Sequence, residues 1–220
     1  MKNKHIAVLC RGSAAWALKN KKKVYDGYRK AFANISETIK MQVKKNIPIF
    51  TFYIMPVKVQ EPDDYSILVD ELSSFLNEFN KTELIHKNKI KISVLGKWYN
   101  LPSRLIDTIK ATIDSTKEYD GYFVNFCIGY DGQEEIVDAC KMIARRVKLG
   151  KFDAEAVTKE TIKDDLYSSY FLPPDKIFVT GEKCSLNGSL LWDSVNAEIV
   201  FLKKSFAEVK IKDIEKRIKN

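Results

Sequence analysis

The residues best suited to binding an anion stand near the start of the chain. Arg11 and Gly12 directly follow a short apolar run, His5–Cys10. A fixed cation at the end of a strand, near a helix amino terminus, can hold phosphate groups without a metal ion. Lys19 and Lys23 lie close enough in sequence to assist. The alternative is an arginine that is solvated or paired with a carboxylate.

Residues that bind metal ions are sparse and scattered. The four cysteines show no CxxC spacing and have no histidine nearby, so a zinc site is not expected. Two of the cysteines lie in apolar runs, which is typical of buried thiols in a reducing compartment. His5 and His86 match no catalytic pattern, and we predict that both lie at the surface.

Strands and helices alternate along the chain. Apolar, β-branched runs predict strands over residues 5–10, 47–55, 89–95, 122–128, 176–180 and 197–202. Three-to-four spacing of apolar residues predicts helices over 25–45, 63–79, 103–116, 132–147, 160–170 and 205–218. The order predicts an α/β fold in which residues 1–220 form a single domain, with a central, mostly parallel six-stranded sheet flanked by helices.

The predicted sheet determines which segments should meet. Ligands of parallel sheets bind beyond the carboxyl ends of the strands. We therefore expect residues 11–16, 53–59, 129–135 and 180–189 to surround one site.

The composition restricts the class of partner. The 220 residues carry 37 basic and 29 acidic side chains, a net charge of +8, which favours anionic partners. No helix-turn-helix spacing or aromatic RNA-binding platform accompanies the lysines, so nucleic acid is not expected. No uninterrupted apolar run approaches 18 residues, which excludes a membrane span. We expect a cytoplasmic protein, with peripheral contact to a membrane as an open alternative.

Read in order, the strand ends resemble those of the cis-prenyltransferases, the family of undecaprenyl diphosphate synthase. The segments that carry the resemblance are "RGSAAW", "DGYRKA", "ISVLGKWYNLP", "IGYDGQEEI" and "LPPDKIFVTGEKCSLNGSLLW" followed by "AEIVF". Their shared positions are Gly12, Trp16, Gly27, Gly96, Leu101, Pro102, Tyr130, Gly132, Glu135, Gly181, Glu182, Leu190, Leu191, Trp192 and Glu198. The resemblance spans nearly the whole chain and implies an α/β fold, isoprenoid diphosphate ligands, Mg²⁺ and a dimer.

The residues that the family uses for chemistry are mostly replaced. The aspartate that holds Mg²⁺ and the allylic diphosphate falls on Arg11, and the helix histidine falls on Tyr28. The other replaced positions are Ala15, Tyr53, Pro56, Val179, Ser185 and Asn187. Glu198 alone matches a metal ligand of the family. No catalytic residue is therefore assigned, and Arg11, Gly12, Lys19 and Lys23 are the candidates for binding diphosphate.

The resemblance leaves three functions open. The first is a catalytically impaired accessory subunit that pairs with an active cis-prenyltransferase, or with itself, in the synthesis of a polyprenyl diphosphate. The second is an active polyprenyl diphosphate synthase with a rearranged site. The third is a polyprenyl-phosphate binding protein. Mg²⁺ is expected only if the chain is active or shares a partner's site. Phe50, Phe52, Phe75 and Phe79 fit the wall of a lipid tunnel and an ordinary core equally well.

Overall fold

The computed structural model describes residues 4–57 and 62–218. Within these ranges one sheet has the strand order β3-β4-β2-β1-β5-β6, and every neighbouring pair is parallel. The six-stranded parallel sheet is therefore confirmed. The strands are β1 (His5–Leu9), β2 (Ile49–Pro56), β3 (Ile90–Leu95), β4 (Tyr122–Tyr130), β5 (Lys176–Thr180) and β6 (Glu198–Leu202).

Helices connect the strands. They are α1 (Ser13–Lys19), α2 (Val24–Lys45), α3 (Pro62–Phe79), α4 (Glu83–Lys87), α5 (Ser103–Thr116), α6 (Gly132–Lys148), α7 (Lys159–Asp164) and α8 (Ile211–Glu215). The four long helices were predicted to within one residue at each end. The short helices α1 and α4 were not, because an element of five to seven residues is too short to show a periodic pattern.

Two predicted helices are shorter than the sequence suggested. The helix expected over 160–170 ends at Asp164, and turns follow it. The helix expected over 205–218 is divided into a 3₁₀ turn, Phe206–Glu208, and α8. Extended backbone at Val209 and Lys210 separates the two pieces, although the apolar spacing continues across them.

The sheet is buried on both faces, as β1 illustrates. Ile6 and Val8 belong to the larger core, which α2, α3 and α5 cover, whereas Ala7 and Leu9 belong to a smaller core on the opposite face. Alternate residues of a strand point to opposite faces, so an all-apolar strand requires cover on each side.

His5 lies in the core, so the prediction that it is a surface residue was wrong. Its imidazole is 3% exposed and contacts the Thr51 hydroxyl, with 2.8 Å between Nε2 and Oγ1, and the Leu172 carbonyl oxygen. Burial lowers the pKa of His5 from 6.5 to about 4. The ring is therefore neutral: Nδ1–H donates to Leu172, and Nε2 accepts from Thr51. His86 is exposed, as predicted.

Candidate functional site

Arg11 lies just beyond the carboxyl end of β1, and backbone contacts hold it there. Its main-chain N–H donates to the Thr180 hydroxyl at 2.9 Å, and that hydroxyl donates to the Leu9 carbonyl oxygen at 2.6 Å. Gly12 then adopts a φ of 82°, in the left-handed region that favours glycine, and α1 begins at the next residue. β1 and β5 thus fix the start of the Arg11 side chain.

The guanidinium of Arg11 reaches the loop after β5. Its Nη1 donates a 2.7 Å hydrogen bond to the main-chain carbonyl oxygen of Ser185. In the described parts of the chain, no carboxylate forms an ion pair with Arg11. The remaining guanidinium N–H groups are therefore free to bind an anion.

A cleft of about 1180 Å³ opens beside Arg11. The segments that the sheet was predicted to bring together contribute to it, with Tyr53 from β2, Asp131 before α6, and Lys183 and Asn187 from the loop after β5. The predicted convergence is confirmed for the described residues, whereas residues 58 and 59 of the second segment lie outside them. Arg11 and Lys183 supply two cations to this cleft.

Two of the three described carboxylates that line the cleft are engaged by other groups. Asp131 caps α6 and accepts from the main-chain N–H groups of Gln133, at 2.8 Å, and Glu134, at 3.3 Å. Glu134 forms a 2.7 Å ion pair with Lys97, whose hydrogen bond lowers the pKa of the carboxyl. Asp64 also lines the cleft.

A second cavity, of about 440 Å³, adjoins Arg11 on the side of α1 and α2. Its walls are mainly apolar and include Leu18, Phe32, Ile35, Ile54 and Leu68. Tyr28 also lines it, and burial raises the pKa of that phenol to about 12, so Tyr28 stays neutral. The charged residues on its wall are Arg11 and Asp64. An apolar chamber with a cation on its wall suits a short hydrocarbon chain that carries an anionic head.

Ser13 adds a polar atom to the wall of the apolar cavity. Its side chain is 5% exposed and lines the apolar cavity, and its Oγ has no hydrogen-bond partner among the described residues. A buried hydroxyl without a partner costs about 1–3 kcal/mol, which a bound ligand can recover. Ser13 and Lys183 lie in segments that the sequence predicted to meet, although neither was singled out as a site residue. Asp64 lies outside those segments, and only the fold brings it to the site.

Gly27 determines how closely α1 approaches α2. A Cβ added at Gly27 would lie 2.2 Å from the Ser13 carbonyl oxygen, so only glycine permits this contact. The site therefore depends on a position in α2 that has no side chain of its own.

Other candidates from the sequence lie apart from Arg11. Lys19 and Lys23 are exposed and line neither cavity. Phe50, Phe52, Phe75 and Phe79 pack in the larger core, where ring contacts join the last three to Phe126, and they line neither cavity either. Their role as a tunnel wall stays a prediction.

Glu198 lies at the opposite edge of the sheet from Arg11. Glu198 is the first residue of β6, whereas Arg11 follows the last residue of β1. Because the strands are parallel, Glu198 lies at their amino ends and Arg11 at their carboxyl ends. Its carboxylate pairs with Lys176 at 3.0 Å. The structure does not bring Glu198 and Arg11 together within one chain.

The residues around Arg11 do not fit a Mg²⁺ site held by this chain alone. Across residues 4–57 and 62–218, no three His, Cys, Asp or Glu side chains are grouped closely enough to hold a metal ion. Magnesium prefers carboxylate and other oxygen ligands, whereas a guanidinium repels it. No step of a reaction is therefore assigned to a metal at this site.

Comparison with known proteins identifies the family. Residues 9–220 match the family described as "Putative undecaprenyl diphosphate synthase". The chain belongs to this family. It is a family of cis-prenyltransferases that make polyprenyl diphosphates, so the resemblance seen in the motifs is confirmed at that level.

Named relatives cover most of the chain. A tritrans,polycis-undecaprenyl-diphosphate synthase (geranylgeranyl-diphosphate specific) from Thermoplasma volcanium is 30% identical over 200 residues, which are 90% of this chain and 78% of the relative. An isoprenyl transferase from Oceanobacillus iheyensis is 25% identical over 206 residues, which are 93% and 81%. The first relative is named as a synthase and the second as a transferase.

Solved structures share the fold. A crystal structure of lavandulyl diphosphate synthase from Lavandula x intermedia in complex with dimethylallyl diphosphate has a TM-score of 0.94 at 22% identity, covering 99% of this chain and 94% of that one. A probable undecaprenyl diphosphate synthase from Campylobacter jejuni has a TM-score of 0.76 at 20% identity, with the same coverage.

Among the described residues, the cis-prenyltransferase chain has no helix that is long and apolar enough to span a membrane.

Proposed function

We propose that this chain is an accessory subunit of polyprenyl diphosphate synthesis that pairs with a catalytic cis-prenyltransferase. The observation that carries the proposal is Arg11, a cation at the end of β1 where the motifs lead us to expect a metal-binding aspartate. Prenyl transfer ionises an allylic diphosphate, and Mg²⁺ normally neutralises the leaving group. For unit charges about 4 Å apart at an effective dielectric near 20, each interaction is worth roughly 4 kcal/mol, so replacing attraction with repulsion costs about twice that amount.

An uncovered apolar face supports the pairing. In the register of β5 and β6, Ile199 lies beside Ile177, and Phe201 lies beside Val179. Ile177 and Val179 are buried in the smaller core, but Ile199 is 38% exposed and Phe201 is 43% exposed. Within residues 4–57 and 62–218, the cover of this sheet face stops at β5. A partner subunit that extends the cover would bury both side chains.

Coexpression tests the pairing. The chain is produced together with a cis-prenyltransferase that carries the aspartate and comes from the same source. We expect a complex that copurifies and turns over geranylgeranyl diphosphate and isopentenyl diphosphate faster than the catalytic chain alone. The double substitution Ile199→Asp and Phe201→Asp should abolish both effects, whereas Leu149→Asp, at an exposed position after α6, should not.

The outcomes are distinct. Absence of a complex at micromolar concentration would contradict the proposal. Turnover by the chain alone would instead favour an active synthase with a rearranged site. A complex of the chain with itself, without a gain in activity, would favour self-pairing.

A second candidate function is binding of an isoprenoid diphosphate without chemistry. The apolar cavity of about 440 Å³ favours it, because its wall carries Arg11 and the Ser13 hydroxyl, which has no partner in the part of the chain that the structure describes. Calorimetry with a non-hydrolysable geranylgeranyl thiolodiphosphate in EDTA tests it. We expect binding that Arg11→Ala weakens at least tenfold and that Arg29→Ala, an exposed arginine paired with Glu71, leaves unchanged. Binding that requires Mg²⁺ would argue against this function.

A further inference from the structure

The net charge of the chain is concentrated in one corner of the fold. Residues 11–30 hold seven basic side chains and one acidic side chain, Asp26, which is a net +6 of the +8 carried by the whole sequence. Residues 13–30 form α1, the α1–α2 turn and the first turns of α2, and Arg11 and Gly12 precede α1. The other 200 residues together carry a net charge of only +2, so most of the excess positive charge lies in this segment.

The lysines of this corner are free to bind an anionic surface. Lys19, Lys21, Lys22 and Lys23 are exposed, and in the described parts of the chain none of them forms a salt bridge with a side chain. The nearby acids are largely engaged, because Glu71 pairs with Arg29, and Asp26 accepts from the main-chain N–H of Lys23. Most of the positive charge is therefore not compensated locally.

Apolar and aromatic side chains accompany these cations. Leu18 is 64% exposed at the end of α1, and the same side chain lines the apolar cavity beside Arg11. Lys30 Nζ lies 4.5 Å from the centroid of the Trp16 ring, and Lys23 Nζ lies 5.7 Å from that of Tyr25. Lysines mixed with aromatic and aliphatic side chains are typical of protein surfaces that lie at a lipid headgroup layer.

We propose that residues 16–30 of this corner, which carry a net charge of +5, dock on an anionic lipid bilayer. The lysines bind the headgroups, and Leu18 inserts at the level where the acyl chains begin. Because Leu18 borders both the outside and the apolar cavity, docking would present the cavity directly to a membrane that holds isoprenoid lipids. The inference does not depend on whether the chain is an accessory subunit or an enzyme.

Cosedimentation of the full chain with vesicles tests the proposal. We expect binding to vesicles of phosphatidylcholine mixed with phosphatidylglycerol, little binding to phosphatidylcholine alone, and loss of binding in about 0.5 M salt. Lys21→Glu with Lys22→Glu should weaken partitioning about tenfold or more. Leu18→Gln should weaken it less and leave the salt dependence in place.

A matched control has the same net charge as the test variant. Lys110→Glu with Lys117→Glu changes two exposed lysines on and just after α5 and should keep vesicle binding within about twofold of the original chain. Equal losses in both double variants would overturn the proposal, because they would show attraction to net charge alone. Absence of vesicle binding, or tighter binding to duplex DNA or single-stranded RNA than to the vesicles, would also overturn it. Thermal unfolding of each variant checks that it folds.

Discussion

The Arg11 guanidinium donates a 2.7 Å hydrogen bond to the main-chain carbonyl oxygen of Ser185. This contact ties the end of β1 to the loop after β5, across 174 residues of sequence. The loop carries Lys183 and Asn187, which face the same cleft. A single arginine therefore both supplies charge to the site and restrains the loop that closes one side of it.

Removal of this restraint should expose the loop to protease. We expect Arg11→Ala to speed tryptic cleavage after Lys183 by about tenfold, because a lost hydrogen bond to a charged donor costs about 1.5–3 kcal/mol. Limited proteolysis with mass spectrometry measures the rate at that bond. Arg29→Ala, which removes an exposed arginine paired with Glu71, serves as the control. Equal rates for Arg11→Ala and the original chain would show that Arg11 does not hold the loop.

Gly27→Ala should destabilise the contact between α1 and α2. The new Cβ would lie 2.2 Å from the Ser13 carbonyl oxygen, so the backbone must shift, at a cost of about 1–3 kcal/mol in the free energy of unfolding. Urea unfolding measures the loss. Gly150→Ala is the comparison, because its φ of 64° is strained for alanine but nothing lies within 4 Å of its Cβ. A smaller loss for Gly27→Ala than for Gly150→Ala would contradict the packing argument.

Lys163 neutralises a buried carboxylate. Its Nζ lies 2.7 Å from an oxygen of Asp193, which is 6% exposed and also accepts from the Ser168 hydroxyl at 2.7 Å. We expect Lys163→Met to lower the free energy of unfolding by about 3–5 kcal/mol, because an unpaired charge stays buried. The double variant with Asp193→Leu should be less destabilised, as chemical denaturation would measure. If the double variant loses more free energy of unfolding than Lys163→Met alone, the unpaired charge of Asp193 is not the cause of the destabilisation.

Stability should fall in mild acid because of His5. Its folded pKa, about 4, is below the value of 6.5 for a free histidine, so the unfolded chain binds the proton more tightly. Stability from this group is fully present above pH 6.5 and is lost as pH falls toward 4, by about 3 kcal/mol in all. Unfolding of the original chain and of His5→Gln from pH 7 to pH 4 should show a shallower decline in the variant. Parallel declines would exclude His5 as the source.

The periodic pattern of the sequence was sufficient to predict the sheet and the long helices. Six apolar runs alternating with helical patterns predicted an α/β fold with a parallel sheet. Because the carboxyl ends of parallel strands meet on one side of the sheet, the sequence also predicted that distant segments would meet at Arg11. Short helices escaped the pattern. The burial of His5 also escaped it, since a strand that is covered on both faces has no polar side on which a histidine could be placed.

Local sequence by itself determined the strands, the long helices, the concentration of charge in residues 11–30 and the family motifs, because each depends on residues near one another in the chain. Tertiary structure alone decided that, among the described residues, the Ser13 hydroxyl has no partner beside an apolar cavity and that Ile199 and Phe201 stay exposed. These properties depend on which distant segments pack together, and spacing along the chain carries no information about that.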